Sequence, residues 1–231
     1  MKPHAVIIVA VLPAVLAGLC SSCATYRPQQ PIHIAAGKGD LSGVETAVAL
    51  DPKCIEAEGE GGCRPLHVAA ERGQAGVVRY LLDQKANPEA RDLARWTALH
   101  HAAYGGQAET ARLLLDAGAR MDQKDRQGFT PLHWAVYESA GSSGAADTAR
   151  LLVARKANIN ARDTEGSTPL FWAVWQGNKD LVVFLLEHGA DPNLRGKEGL
   201  TPRESAAKYE NRDMAALLES HATDRGRNLE H

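Results

Sequence analysis

The sequence predicts an all-α fold, a solenoid of about six repeated helical units, and three observations carry that expectation. First, a short motif recurs: Pro31-Ile32-His33, Pro65-Leu66-His67, Ala98-Leu99-His100, Pro131-Leu132-His133, Pro169-Leu170-Phe171 and Pro202-Arg203-Glu204, at steps of 34, 33, 33, 38 and 33 residues. Second, a further apolar register keeps the same steps through Leu81-Leu82, Leu114-Leu115, Leu152-Val153, Leu185-Leu186 and Leu218. Self-similarity at a fixed period is the mark of a repeat architecture. Third, aromatic residues make up only 5% of the chain, so a core must come mostly from Ala, Leu and Val, which suits thin helical layers.

The elements follow in order. Residues 1–22 read as a secretory signal: Lys2 in a short positive head, then an apolar run from Ala5 to Leu19. Fifteen residues fall short of the roughly 20 that a membrane-spanning helix needs. After it, Cys20-Ser21-Ser22-Cys23-Ala24 is similar to a bacterial lipoprotein box, which implies lipidation of Cys23 and, with Ala24 next, passage to the outer membrane on its periplasmic side. Ordinary cleavage after Ser22-Cys23-Ala24 satisfies the small-x-small rule and stands as the alternative. Residues 23–30 form a linker.

The repeat domain spans 31–222, with units near 31–64, 65–97, 98–130, 131–168, 169–201 and 202–222. Pro at the first helical turn gives up no needed hydrogen bond and presets φ. Thr130, Thr168 and Thr201 precede it as caps. Gly73, Gly106 and Gly177 break one helix from the next; Gly118 and Gly189 stand where a helix end demands positive φ, and Lys85 and Lys156 fill that place at some cost. Unit four carries a five-residue insertion within Ser139-Ala140-Gly141-Ser142-Ser143-Gly144, expected to be a flexible bulge. In unit six Arg203, Glu204 and Ser205 replace the apolar signature, which reads as a cap; 223–231 reads as a disordered tail.

The period of 33 and the Thr-Pro-Leu-His-x-Ala pattern, seen in Thr130-Pro131-Leu132-His133-Trp134-Ala135, resemble the ankyrin repeat over residues 31 to about 221. That resemblance implies two antiparallel helices and a projecting turn or hairpin per unit, stacked into a curved solenoid. It also implies that His33, His67, His100 and His133 tie turns together by hydrogen bonds, so no metal site is expected from them.

Charge and motifs bound the function. With 26 Lys and Arg against 28 Asp and Glu the formal charge is −2, which offers no net pull toward a phosphate backbone, so nucleic acid is not an expected partner. No metalloprotease, phosphate-loop or nucleophile-elbow motif is present, so neither catalysis nor a cofactor is expected. Cys54 and Cys63 flank a Gly-rich and acidic stretch; in an oxidising compartment they would close a bridge contributing about 2–3 kcal/mol, with a redox pair as the alternative.

The most informative pattern is aromatic. At about 100° per residue, with Leu132 at zero, Trp134 falls near 200° and Tyr137 near 140°, away from the core. Their equivalents are His101 and Tyr104 one unit earlier and Trp172 and Trp175 one unit later; Trp96 and Phe129 precede the signature and border the same surface. The resemblance places all eight on the concave face, and Trp and Tyr are the side chains that dominate binding hot spots. The expectation is a non-catalytic scaffold of the bacterial envelope, monomeric when free, binding a protein there. It would position or protect an envelope enzyme, or neutralise a toxin as an immunity protein. Two readings stay beside it: packing of these rings between repeats, and a carrier holding a planar ligand among His101, Tyr104, Trp134 and Trp175.

Overall fold

The computed structural model describes residues 31–227, so the expected signal sequence (1–22), the expected linker (23–30) with Cys23, and residues 228–231 of the expected tail lie outside the described residues. Among the described residues twelve α-helices run in six pairs: α1 (Pro31–Lys38) and α2 (Leu41–Leu50), α3 (Pro65–Glu71) and α4 (Ala75–Asp83), α5 (Ala98–Tyr104) and α6 (Ala108–Asp116), α7 (Pro131–Glu138) and α8 (Ser143–Ala154), α9 (Pro169–Gln176) and α10 (Lys179–Glu187), α11 (Pro202–Lys208) and α12 (Arg212–Arg227). No helix among the described residues is long and apolar enough to cross a membrane.

Each first helix packs on the next first helix along the series α1, α3, α5, α7, α9 and α11. Small residues make this possible: Ala69, Ala70, Ala102 and Ala103 are fully buried at the contacts, beside Leu66, Leu99, Leu132 and Leu170. The second register fills the layer behind with Leu81, Leu114, Leu152 and Leu185. Apolar side chains are thereby removed from water along one continuous core.

The helix ends follow the local chemistry. Thr201 caps α11, accepting from Glu204 N while Glu204 accepts from Thr201 N. Helices α4 and α8 end on Lys85 and Lys156, both held at φ 71°, where α6 and α10 end on Gly118 and Gly189. The insertion of unit four is not a loose bulge: Ser143 and Gly144 begin α8, a helix of 12 residues where α4, α6 and α10 have nine. Gly144 approaches Gly106 so closely that a Cβ there would lie 2.4 Å from the Gly106 carbonyl oxygen. Helix α12 likewise runs to Arg227, past the expected end of the domain at 222, because no proline or glycine interrupts it before Gly226.

Between units the chain turns outward in a finger. In each, one backbone N–H bonds to the carbonyl four residues on: Gly59 to Cys63, Asp92 to Trp96, Asp125 to Phe129, Asp163 to Ser167 and Gly196 to Leu200. Cationic side chains then staple finger to finger. Arg64 donates to the Arg91 carbonyl, Arg91 to that of Lys124, Lys124 to that of Arg162, and Arg162 to that of Arg195. Arg195 turns instead to Glu204.

Candidate functional site

The signature histidines act as struts. In His100 and His133, Nδ1 accepts from the backbone N–H of Thr97 and Thr130, and Nε2 donates to the carbonyls of Phe129 and Ser167 in the following finger. His67 does the same between Arg64 and Ala90. This pattern requires the neutral ring. Burial accordingly depresses His67 and His100 to about 3 and His133 to about 4.

A second recurrence was not read from the sequence although it is legible there. Asp92, Asp125 and Asp163, each buried at a finger base, receive a ring N–H from nine residues downstream. Trp134 Nε1 lies 2.8 Å from Asp125 Oδ2, Trp172 Nε1 2.9 Å from Asp163 Oδ2, and His101 Nε2 3.1 Å from Asp92 Oδ2. The other carboxylate oxygen takes finger N–H groups, those of Trp96, Phe129 and Ser167. Burial raises Asp125 and Asp163 despite these bonds. Burial also opposes ionisation of Asp92, but the hydrogen bond and charge of His101 overcome it and hold its carboxyl below the usual range.

His101 is therefore a cation inside the protein. Burial would push its imidazole down, but Asp92 on Nε2 and Glu71 on Nδ1, each at 3.1 Å, raise it to about 9. His67 stacks on it at 5.1 Å and stays neutral.

The aromatic group is corrected by this geometry. Trp96, His101, Phe129, Trp134 and Trp172 are all buried, with 5% or less of their surface exposed, so they are packing residues and not contacts offered to a partner. The helical phase was right in turning Trp134 from the helical core; it could not show that Trp96 and Phe129 from the fingers cover it, at centroid distances of 4.5 and 5.0 Å. Trp96 also lies 5.1 Å from the His101 ring, so the space a planar ligand would need between His101 and Trp134 is filled. Tyr104, Tyr137 and Trp175 remain partly exposed. They occupy equivalent positions at the ends of α5, α7 and α9, rimming the buried stack: Tyr104 on Trp134 at 6.0 Å, Tyr137 on Trp172 at 5.6 Å. Trp175 meets Tyr209 at 4.7 Å. Glu138 lies among them, its carboxyl raised by burial.

The cysteine pairing is also corrected. Cys54 is a free thiol and does not bridge to Cys63, which is disulfide-bonded. The segment between them is not floppy: two short 3-10 turns, Pro52–Glu56 and Glu60–Gly62, order it, and Arg64 clamps it through Glu56 and Glu58. These turns bury Cys63 beside Asp92, with Sγ 3.9 Å from Oδ2. Cys63, His67 and His101 bring potential ligand atoms within 4.8 Å of one another. All are already committed within the protein: His67 and His101 by both ring nitrogens, Cys63 by its disulfide.

Comparison with known proteins agrees with the architecture. The family described as ankyrin repeats (3 copies) matches residues 12–92, 88–163 and 138–228. No curated protein matches the chain in sequence. Among solved structures, the chain is similar to one in the complex of Bd0816, a predatory endopeptidase from Bdellovibrio bacteriovorus, with immunity protein Bd3460. The TM-score is 0.73 at 30% identity, covering 84% of this chain and 99% of that one.

Proposed function

The chain belongs to the ankyrin-repeat family, and on that premise we propose that it is an immunity-type binding protein which docks on a peptidase of the bacterial envelope and restrains it. The observation that carries the reading is the likeness to a chain of the endopeptidase–immunity complex over 84% of this sequence at 30% identity. A fold alone would not give a function; here the matched chain comes from a complex of an endopeptidase with an immunity protein. Tyr104, Tyr137 and Trp175 are the contacts we assign on the concave face, since they combine partial exposure with a rigid aromatic backing.

The protein acts by binding and not by catalysis, as a monomer when unbound. Export, with tethering at Cys23 in the outer membrane, is part of the same proposal and is supported by the sequence of residues 1–24. Inhibiting lipoprotein signal peptidase in the host should leave a larger precursor; unaltered processing removes the tether from the proposal.

The test of function is retention and inhibition. Immobilised protein should retain a peptidase from the host envelope, and adding soluble protein should suppress that peptidase's cleavage of a peptide substrate. Replacing Tyr104, Tyr137 and Trp175 together by Ala should abolish both effects without loss of helicity. Retained peptidase that cleaves at an undiminished rate would refute restraint.

A further inference from the structure

We propose that the tips of three successive fingers, 91–96, 124–129 and 162–167, form a cationic docking strip for an acidic surface of the partner protein, with Leu93 as its apolar anchor. The inference rests on the protein-binding reading above and adds the chemistry of what is bound. Its first support is charge. Arg91, Arg95, Lys124, Arg126 and Arg162 form no ion pair among the described residues. Within the three tips Asp92, Asp125 and Asp163 are buried under ring and backbone N–H groups and Glu165 is paired with Lys197, while Glu89 and Asp122, just before the first two tips, accept from the backbone N–H groups of Arg120 and Asn158 and form no ion pair with the strip. In a chain of formal charge −2, this strip is a local excess of one sign.

The strip is also continuous and bounded. Leu93 N bonds to the Gly61 carbonyl, Arg126 N to that of Ala94, and Thr164 N to that of Gln127, so each tip is fixed on the one before. At the N-terminal side Arg64 is neutralised by Glu56 and Glu58; at the C-terminal side Arg195 is neutralised by Glu204. Among the fingers, uncompensated cationic charge is therefore confined to these three, whose backbone is already ordered. Such preorganised charge steers encounter with a complementary surface.

The second support is the tip at 91–96 itself. Leu93 is 64% exposed. Arg95 is held at φ 66°, at the position that is Gly128, Gly166 and Gly199 in the following fingers, all at positive φ. A side chain there is strained, and glycine would serve the turn better. An exposed leucine beside a strained, unpaired arginine is accounted for by contact with something outside the fold.

The experiment compares wild type with R95E/R126E, L93A and Arg95→Gly. It titrates the protein that immobilised wild type retains from the host envelope, at about 50 and about 200 mM salt. R95E/R126E should associate at least about tenfold more slowly at low salt, and the difference should shrink at high salt. Arg95→Gly, which removes charge while relaxing the turn, should shift association in the same direction, separating charge from misfolding. L93A should keep the association rate and dissociate faster. Association of R95E/R126E within twofold of wild type at low salt overturns the strip, as does displacement of the retained protein by a short duplex oligonucleotide. If the retained protein is not a peptidase, the functional reading falls while the same titration still decides the strip; if nothing is retained, both fall.

Discussion

Asp92 accepts a hydrogen bond from His101, Nε2 to Oδ2 at 3.1 Å, in the place where Asp125 accepts from Trp134 and Asp163 from Trp172. The scaffold is the same and the donor differs. An indole N–H is neutral and leaves burial to raise Asp125 and Asp163, whereas an imidazolium reverses the sign at Asp92. Glu71, the second carboxylate on His101, stands where Tyr104, Tyr137 and Trp175 stand in later units, so the node replaces an aromatic rim at one repeat.

Stability should peak near pH 6.5 and fall on both sides. His101 has its folded pKa raised to about 9 from 6.5, so its contribution is complete below 6.5 and is lost as pH rises through 9, on the order of 3 kcal/mol. His67, His100 and His133 are depressed to about 3, about 3 and about 4; the unfolded chain binds their protons first, so stability falls as pH drops below 6.5. Melting temperature against pH measures both limbs. His101→Gln should flatten the alkaline limb and, by removing a charge that helps depress His67 and His100, soften the acid limb to a lesser degree; an unchanged alkaline limb would exclude His101 as its source.

Asp125→Ala should be among the most damaging single changes. It strips a partner from the indole N–H of both Trp96 and Trp134 and from the Phe129 amide, all buried. At roughly 1–3 kcal/mol for each buried donor left unsatisfied, a loss of about 3 kcal/mol or more is expected from denaturant midpoints. Asp125→Asn, which keeps one acceptor, should recover part of it.

Trp134→Ala should destabilise by about 3–5 kcal/mol, because the ring is 2% exposed and four other aromatic rings, those of Trp96, Phe129, Tyr137 and Tyr104, rest on it within 6 Å. Trp175→Ala, at the partly exposed rim, should cost the fold less and binding more. Denaturation and partner titration of the two variants separate these roles; equal loss of stability would contradict the division.

Arg95→Gly and Lys156→Gly should each stabilise the protein by about 1 kcal/mol, since both residues hold positive φ at positions where other units carry glycine. The denaturant midpoint should rise at constant m-value.

The repeat was legible because its cause is local. Pro131, Thr130 and Leu132 lie next to one another, and the helix start they encode recurs at a countable period. The strain at Lys85 and Lys156 was legible for the same reason, by comparison with Gly118 and Gly189. The burial of Trp134 was not: helical phase gives its direction from the axis, but its cover, Trp96, arrives from a finger 38 residues earlier. The cysteines misled because chain proximity in a Gly-rich loop suggested a bridge, whereas two 3-10 turns and the Arg64 clamp set their separate positions. The nine-residue spacing from Asp92, Asp125 and Asp163 to a ring N–H was present in the sequence and would have revealed the buried layer.

The chain of cations that reach from each finger to the next backbone carbonyl also says where this protein could grow. A duplicated copy of residues 98–130 would bring its own Lys124 as donor and its own Lys124 carbonyl as acceptor, so a lengthened array would close every junction it opened. Duplication of residues 169–201 would not, because Arg195 is already turned to Glu204 of the last unit. Length is therefore free to vary in the interior and fixed at the end, and gain or loss of whole units should be tolerated between α5 and α9 before it is tolerated at α11.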